Sequence, residues 1–379
     1  MKVLMIGQLV GGLDIYNRNT INYADKDIEY VIVRGKMDVH RPIEHNGKEV
    51  REIPISLYRS VNPFKDLKAL FQTIQIIKKE KPDLIHCHSA KGGIIGRTAA
   101  YFCGVKCLYT PHAFSFFSTS NSFIQWLYKI IEKLTRFKAY LLACSESERQ
   151  VGIKTVGYNP TRALCWTNAV PRVKLTSPME KESDVEMTKM LNSDCKYVSY
   201  IGRPSYQKNL LFLVDVVEKV HKTHQDVKFV LFGVGYHSPD LKKLKKQIAR
   251  KKLQDTIIVV PWLSHESTMK KLMNSIFYIS CSRYEGLPLS LIEAMSMGKA
   301  IVASDVVGNC DCVIDKENGR LLRLDKDSYV EAIVELLDNE NLCQKYGAKS
   351  KDLFDQNFLI DNRIKELMDI YKSVALNTL

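Results

Sequence analysis

Short apolar runs alternate along the chain with stretches in which apolar positions recur every three or four residues. In the first half, runs at 2–7, 29–34, 83–87, 106–110, 139–144 and 162–167 predict strands, and periodic stretches at 63–80, 92–103, 122–138 and 145–156 predict helices. The pattern lapses between Pro171 and Asp194, a polar, charged stretch holding Pro178. It restarts with strands at 197–202, 227–232, 256–260, 276–281 and 300–303, and helices near 208–223, 238–252, 265–274 and 289–297. Strands alternating with helices are the mark of parallel sheets covered by helices. The expectation is an α/β fold of two Rossmann-like domains, residues 1–172 and 195–360, joined by a linker at 173–194 and followed by a last helix within 361–379.

Candidate chemistry gathers where strands give way to helices, the place where open α/β sheets bind ligands. The strand at 276–281 runs into Ser282-Arg283-Tyr284-Glu285-Gly286-Leu287-Pro288 and then a helix carrying Glu293. The turn lets Glu285 and Glu293 face one crevice, and the helix start offers unpaired N–H groups and a positive dipole end to an anion. After the first strand of the second half, Gly202 leads into Arg203 and Lys208, which flank a short turn before a helix. Such a pair suits a diphosphate, arginine through its bidentate fork and lysine as a point charge. Carboxylates that accept from hydroxyls, beside cations that hold phosphates, suit a nucleotide sugar. The plainer readings are a turn carboxylate, an exposed helix carboxylate and two solvated cations.

In the first half, Gly11-Gly12 ends the first strand, where glycine lets the chain turn and a ligand approach the backbone. His86 and His88 share one face of the third strand; with no further ligands they make a poor metal pair and read as polar residues at a cleft edge. Lys91, Gly92 and Gly93 open the next helix and are candidates, with His88, for holding an acceptor phosphate. His112 follows the strand at 106–110. Trp262, after the strand at 256–260, reads equally as a stacking face or a core tryptophan.

The Glu285-Gly286-x-Pro288 turn, the Glu293 spacing and the Glu293-Ala294-Met295-x-x-Gly298 continuation resemble the Glu-x7-Glu signature of retaining glycosyltransferases of family 4, which have the GT-B fold. Gly202-Arg203, followed after four intervening residues by Lys208-Asn209, resembles the Gly-Arg-x-x-x-x-Lys-Asn motif of that family. The segment Thr110 to Phe116 is similar to the Thr-Pro-His-Gly-Phe-Ser-Phe segment of its bacterial polysaccharide transferases, with Ala113 for the usual glycine. The resemblance implies substrates bound in a cleft between the two domains. Arg203 and Lys208 would hold the donor pyrophosphate, Glu293 the ribose hydroxyls and Glu285 the donor sugar. Gly202 and the Gly286-Leu287-Pro288 turn would line the donor phosphate, Trp262 the base and Gly12 the sugar-phosphate end, with His112 at the reacting sugar. It also implies a UDP-linked hexose or N-acetylhexosamine donor, reaction on one face of the sugar with retained configuration, no metal cofactor, and a last helix crossing back onto the first domain. The acceptor it suggests is a lipid-diphosphate-linked glycan in capsule or O-antigen assembly; a soluble acceptor is the alternative. The chain departs from the family pattern at Thr167-Asn168-Ala169-Val170, where many members have Pro-Asn-Gly-Val, and at Asp311, near a usual glutamate.

A formal net charge of +13 over 379 residues calls for anionic partners. Nothing resembles a DNA or RNA module, so phosphorylated substrate or phospholipid is expected and nucleic acid is not. Ten scattered cysteines, without a secretion signal or paired zinc spacing, read as reduced thiols of a cytoplasmic protein with no metal site. The apolar stretches fall short of the ~18 residues of a spanning helix, which leaves a cytoplasmic protein or one peripheral on the inner membrane face. The 122–138 helix carries Phe123, Trp126, Leu127, Ile130, Ile131 and Leu134 among Lys129, Lys133, Arg136 and Lys138. It fits equally an anionic bilayer surface and burial on its own sheet. The rival functions are a nucleotide-sugar 2-epimerase of the same fold, a glycosidase using both glutamates, and a noncatalytic nucleotide-sugar binder.

Overall fold

The apolar runs assemble into two wholly parallel sheets in a computed structural model describing residues 1–38, 42–58, 60, 62–173, 195–235 and 238–378. In chain order the first half supplies β1 (Lys2–Ile6), β2 (Glu29–Gly35), a small antiparallel pair β3 (Glu44–His45) and β4 (Lys48–Glu49), β5 (Arg51–Ile55), β6 (Leu84–His88), β7 (Lys106–Thr110), β8 (Tyr140–Ala143) and β9 (Ala163–Cys165). All but β3 and β4 join one sheet in the order β5-β2-β1-β6-β7-β8-β9. The second half supplies β10 (Tyr197–Ile201), β11 (Lys228–Val234), β12 (Ile257–Pro261), β13 (Tyr278–Ser280), β14 (Ile301–Ser304) and β15 (Gly319–Leu322), ordered β12-β11-β10-β13-β14-β15. The central strands are covered on both faces, which is why they read as continuous apolar runs rather than alternating ones; Val3 to Ile6 are wholly buried.

Both sheets follow the doubly wound order, running outward from the first strand in one direction and then in the other. The order reverses between β1 and β6 in one sheet and between β10 and β13 in the other. A crevice opens at such a point, beyond the carboxyl ends of the two strands.

The chain forms two units, Met1–Pro171 with Phe358–Leu379, and Arg172–Asn357. The stretch expected as linker lies, from 174 to 194, outside the described residues. The last helix, Ile360–Leu376, belongs to the first unit: the Trp166 indole donates to the Arg363 carbonyl at 3.0 Å, and Tyr371 is wholly buried. Several elements escaped the periodicity. The helix Gly12–Tyr23 buries Asn17 and Thr20, which interrupt its apolar stripe. The edge strand β5 holds Pro54, which only an edge tolerates. The edge strand β15 and the helices Lys326–Asp338 and Glu340–Asn357 were also unassigned. The 145–156 helix is α-helical only over Glu146–Val151 and widens by one turn beyond it, and the 122–138 helix stops at Leu134.

Candidate active site

In the second unit, the loops after β10 and β13 meet at the reversal of strand order. Gly202 follows β10 because the backbone must pass close to its neighbours there: a Cβ at Gly202 would lie 2.5 Å from the Tyr200 hydroxyl. The loop then turns at Asn209 (φ +55°) into the helix Leu210–Val220. It is stitched to the β13 loop by the Arg283 amide, which donates to the Gln207 carbonyl at 2.8 Å, and by the Arg283 guanidinium, which donates to Asn209 Oδ1. Beyond β13, the Glu285 amide donates to the Val307 carbonyl at 3.2 Å. Gly308 (φ +86°) packs so closely on the turn that a Cβ there would lie 2.5 Å from the Gly286 carbonyl oxygen.

These loops fix two buried carboxylates, each 5% exposed. Glu285 accepts from Lys208 Nζ at 2.7 Å through one oxygen and from Gln207 Nε2 at 3.0 Å through the other. Glu293, on the helix Leu289–Ser296, accepts from His265 Nε2 at 2.7 Å, and this bond raises the His265 pKa above its ordinary value. Among the described residues no side chain caps that helix, whose start follows Pro288. Arg203 is half-buried in the same loop as Lys208. Glu285, Lys208, Gln207 and the Gly286-Leu287-Pro288 turn therefore converge. Glu293 stands at the adjacent helix with His265 as its partner. Gln207 and His265 were not singled out from the sequence: Gln207 hides inside the motif, and nothing in the pattern around His265 marks it. Trp262 is 53% exposed, so it is not a core residue; it lies against Gly235, whose Cβ would sit 3.6 Å from the indole.

In the first unit, His86, His88 and His112 form a cluster in which His86 and His88 are wholly buried, rather than polar residues at a cleft edge, and His112 is half-buried. Thr110 Oγ1 donates to the Leu142 carbonyl, so it accepts from His86 Nε2 at 2.8 Å, and His86 Nδ1 then accepts from the Tyr371 hydroxyl at 2.7 Å. His88 Nδ1 and His112 Nε2 are 3.1 Å apart, and His88 Nε2 is buried with no partner among the described residues. A buried orphan donor costs more than an orphan lone pair, which favours the proton on His88 Nδ1, donated to His112. Burial lowers the His86 pKa to about 3, with His112 adding to the shift, and lowers His112 to about 4. Burial and the neighbouring rings lower the His88 pKa as well, so the surroundings favour the neutral form of all three.

His112 (φ +53°) and Ala113 (φ +82°) both lie in the left-handed region. The Ala113 amide is held by the buried Glu148, which accepts from it at 2.7 Å and from the Cys144 amide at 2.9 Å. Lys91 faces Asp66 at 2.8 Å and also donates to the Ser60 carbonyl. Gly92 and Gly93 serve packing: a Cβ would lie 3.0 Å from the Ile6 carbonyl oxygen at Gly92 and 2.2 Å from the Tyr109 ring at Gly93. At the end of β1, Gly11 (φ +63°) makes the turn, while Gly12 has no described atom within 4 Å of where its Cβ would stand. Among the described residues, no three His, Cys, Asp or Glu side chains group as metal ligands, and no helix is long and apolar enough to cross a membrane.

Residues 10–172 match the family model described as Glycosyltransferase Family 4, and residues 186–353 match that of Glycosyl transferases group 1. The chain belongs to these GT-B glycosyltransferases. It is 28% identical over 330 residues to the UDP-Gal:alpha-D-GlcNAc-diphosphoundecaprenol alpha-1,3-galactosyltransferase of Escherichia coli, across 85% of this chain and 83% of that protein. Among solved structures, sucrose-phosphate synthase from Thermosynechococcus elongatus superposes with a TM-score of 0.84 at 19% identity over 100% of both chains. HepE of Anabaena, in complex with UDP and glucose, gives 0.78 at 18% identity over 98% of this chain and 100% of that one. These two likenesses show the shared fold.

Proposed function

We propose that this glycosyltransferase moves a hexosyl or N-acetylhexosaminyl group, with retention, from a UDP-sugar to a hydroxyl of a lipid-diphosphate-linked glycan in surface polysaccharide assembly, as a peripheral protein of the inner membrane face. The carrying observation is the ion pair of Lys208 with Glu285 where the strand order of the second unit reverses, with Glu293 and His265 on the next helix. On this reading the donor diphosphate meets Lys208, Arg203 and the start of the helix Leu289–Ser296. Glu285 accepts from sugar hydroxyls, Glu293 from the ribose diol, and Trp262 stacks beside the base. The anomeric C–O bond to the diphosphate breaks and the acceptor oxygen forms the new one on the same face. The acceptor proton passes to a departing phosphate oxygen. Fixed cations aimed at developing negative charge are the main rate-accelerating element of such a site, and we assign no metal ion to it. The Escherichia coli relative named above uses a UDP-sugar and a diphosphoundecaprenol acceptor, which supports the donor and acceptor classes.

The test measures thermal stabilisation by a panel of nucleotide sugars, then transfer to a synthetic lipid-diphosphate acceptor, with the anomeric configuration read by NMR. Stabilisation by one UDP-sugar and a retained product linkage, undiminished by EDTA, are expected. An inverted product or stabilisation by no uridine nucleotide overturns the reading.

A further inference from the structure

The helix Ser122–Leu134 is mounted with its apolar face outward. Its buried side is polar: Glu132, 1% exposed, accepts from the Arg97 guanidinium at 2.9 Å and from the Tyr109 hydroxyl at 3.0 Å, and Arg97 also donates to the Tyr158 hydroxyl at 3.0 Å. At about 100° per residue, Phe123, Trp126, Leu127, Ile130 and Leu134 fall on the arc opposite Glu132. Phe123 is 69% exposed, Trp126 55% and Leu134 70%. Rolling the helix to hide them would strip a buried arginine of its counter-charge, which is strongly unfavourable. The exposure is therefore built in, and the reading of this helix as buried on its sheet is overturned. Nearby, Tyr101 and Phe137 stack at 4.7 Å, and Phe102 is exposed beside Tyr101.

The charge around this face has one sign. From Ser122 to Lys138 the chain has four Lys or Arg and one carboxylate, Glu132, which is spent on Arg97. Lys133 and Lys138 are exposed. A cavity of about 240 Å³ beside Phe137 is lined by Lys106, Lys138 and Arg162 and by no carboxylate.

We propose that this face docks the first unit on an anionic lipid bilayer. The aromatic stripe enters the boundary between headgroups and acyl chains, and the flanking cations meet lipid phosphates. A second copy of the chain would set like charges against one another, which a complementary interface avoids. The inference deepens the proposed function, because a lipid-linked acceptor would be met at that surface.

The test co-sediments the full chain with phosphatidylglycerol vesicles and with phosphatidylcholine vesicles, at low and high salt. Binding to the anionic vesicles, weakened by salt, is expected. The double variant Phe123→Ser/Trp126→Ser lowers partitioning about tenfold or more. Lys133→Ala and Lys138→Ala each lower it about fivefold. All keep the wild-type Tm and the wild-type rate on a water-soluble acceptor analogue. Wild-type protein that ignores anionic vesicles, or the double variant binding them equally well, overturns the proposal. So does a dimer in solution that the double variant dissociates, with no vesicle binding. Sugar transfer without vesicle binding defeats the docking and the peripheral placement and leaves the proposed transfer reaction standing; vesicle binding without transfer from any UDP-sugar does the reverse.

Discussion

Replacing Lys208 by methionine separates two consequences of one ion pair. Lys208 is about as long as methionine without its ammonium, so the change removes charge with little loss of packing. In the folded protein it leaves the Glu285 carboxylate, among the described residues, with Gln207 at 3.0 Å as its remaining side-chain hydrogen-bond partner. Losing a hydrogen bond to a charged group costs about 1.5–3 kcal/mol of stability. The lysine side chain is 20% exposed and the glutamate 6%, so water repairs little on the carboxylate side. Under the proposed function the same change removes a cation from the departing diphosphate, worth about 2.7–4 kcal/mol, or about 100- to 1000-fold in kcat. Urea unfolding followed by circular dichroism reads the first effect, and release of nucleoside diphosphate reads the second. Lys208→Met/Glu285→Gln removes the orphaned charge, so it regains most of the stability while turnover stays low. Should Lys208→Met keep kcat within about threefold of wild type, or should the double variant recover stability and turnover together, the lysine acts only by holding Glu285 and the catalytic argument fails.

Three further substitutions probe the framework. Glu132→Gln leaves the Arg97 guanidinium buried without a counter-charge and lowers the urea stability of the first unit by about 3–5 kcal/mol; Arg97→Met/Glu132→Leu costs clearly less, and equal losses would refute a charge-based cause. Ala113→Gly relieves a left-handed Cβ at φ +82° and stabilises by about 0.5–1 kcal/mol net of the added chain entropy; a destabilised variant would contradict that backbone geometry. His265 has its pKa raised by Glu293, so the stability from this pair is full below the ordinary value of 6.5 and is lost as pH rises through the raised folded value. His265→Gln therefore flattens the urea midpoint across that window, and an unchanged profile would remove His265 as its source.

The interiors of both sheets were legible because strands covered on two faces need apolar residues at every position, a signal that survives without alignment. The turn around Glu285 was legible because glycine and proline there answer a steric demand, seen in the contact of Gly308 with the Gly286 carbonyl oxygen. Less could be read where a second, distant residue decides the outcome. Periodicity shows that the helix Ser122–Leu134 has an apolar face but not which way it turns; that follows from Arg97, 35 residues earlier. Likewise the two histidines of β6 read as polar residues at a cleft edge until Thr110 and Tyr371 take both ring nitrogens of His86. Edge strands such as β5 carry too little burial to leave a pattern, and Pro54 argues against a strand everywhere except at an edge.

The two points of strand reversal carry opposite electrostatics on the same topology. In the second unit, Arg203, Lys208, Glu285 and Glu293 gather within two loops and one short helix, and a charged ligand can be answered group by group. In the first unit, the matching strand ends present three imidazoles kept neutral by burial, His86 with a pKa near 3 and His112 near 4. A neutral imidazole can donate or accept a hydrogen bond, but it adds no charge to attract a phosphate. A diphosphate thus has reason to settle on the second unit, where Lys208 and Arg203 share one loop. Under the proposed function the second unit answers both parts of the donor, the diphosphate through Lys208 and Arg203 and the sugar hydroxyls through Glu285.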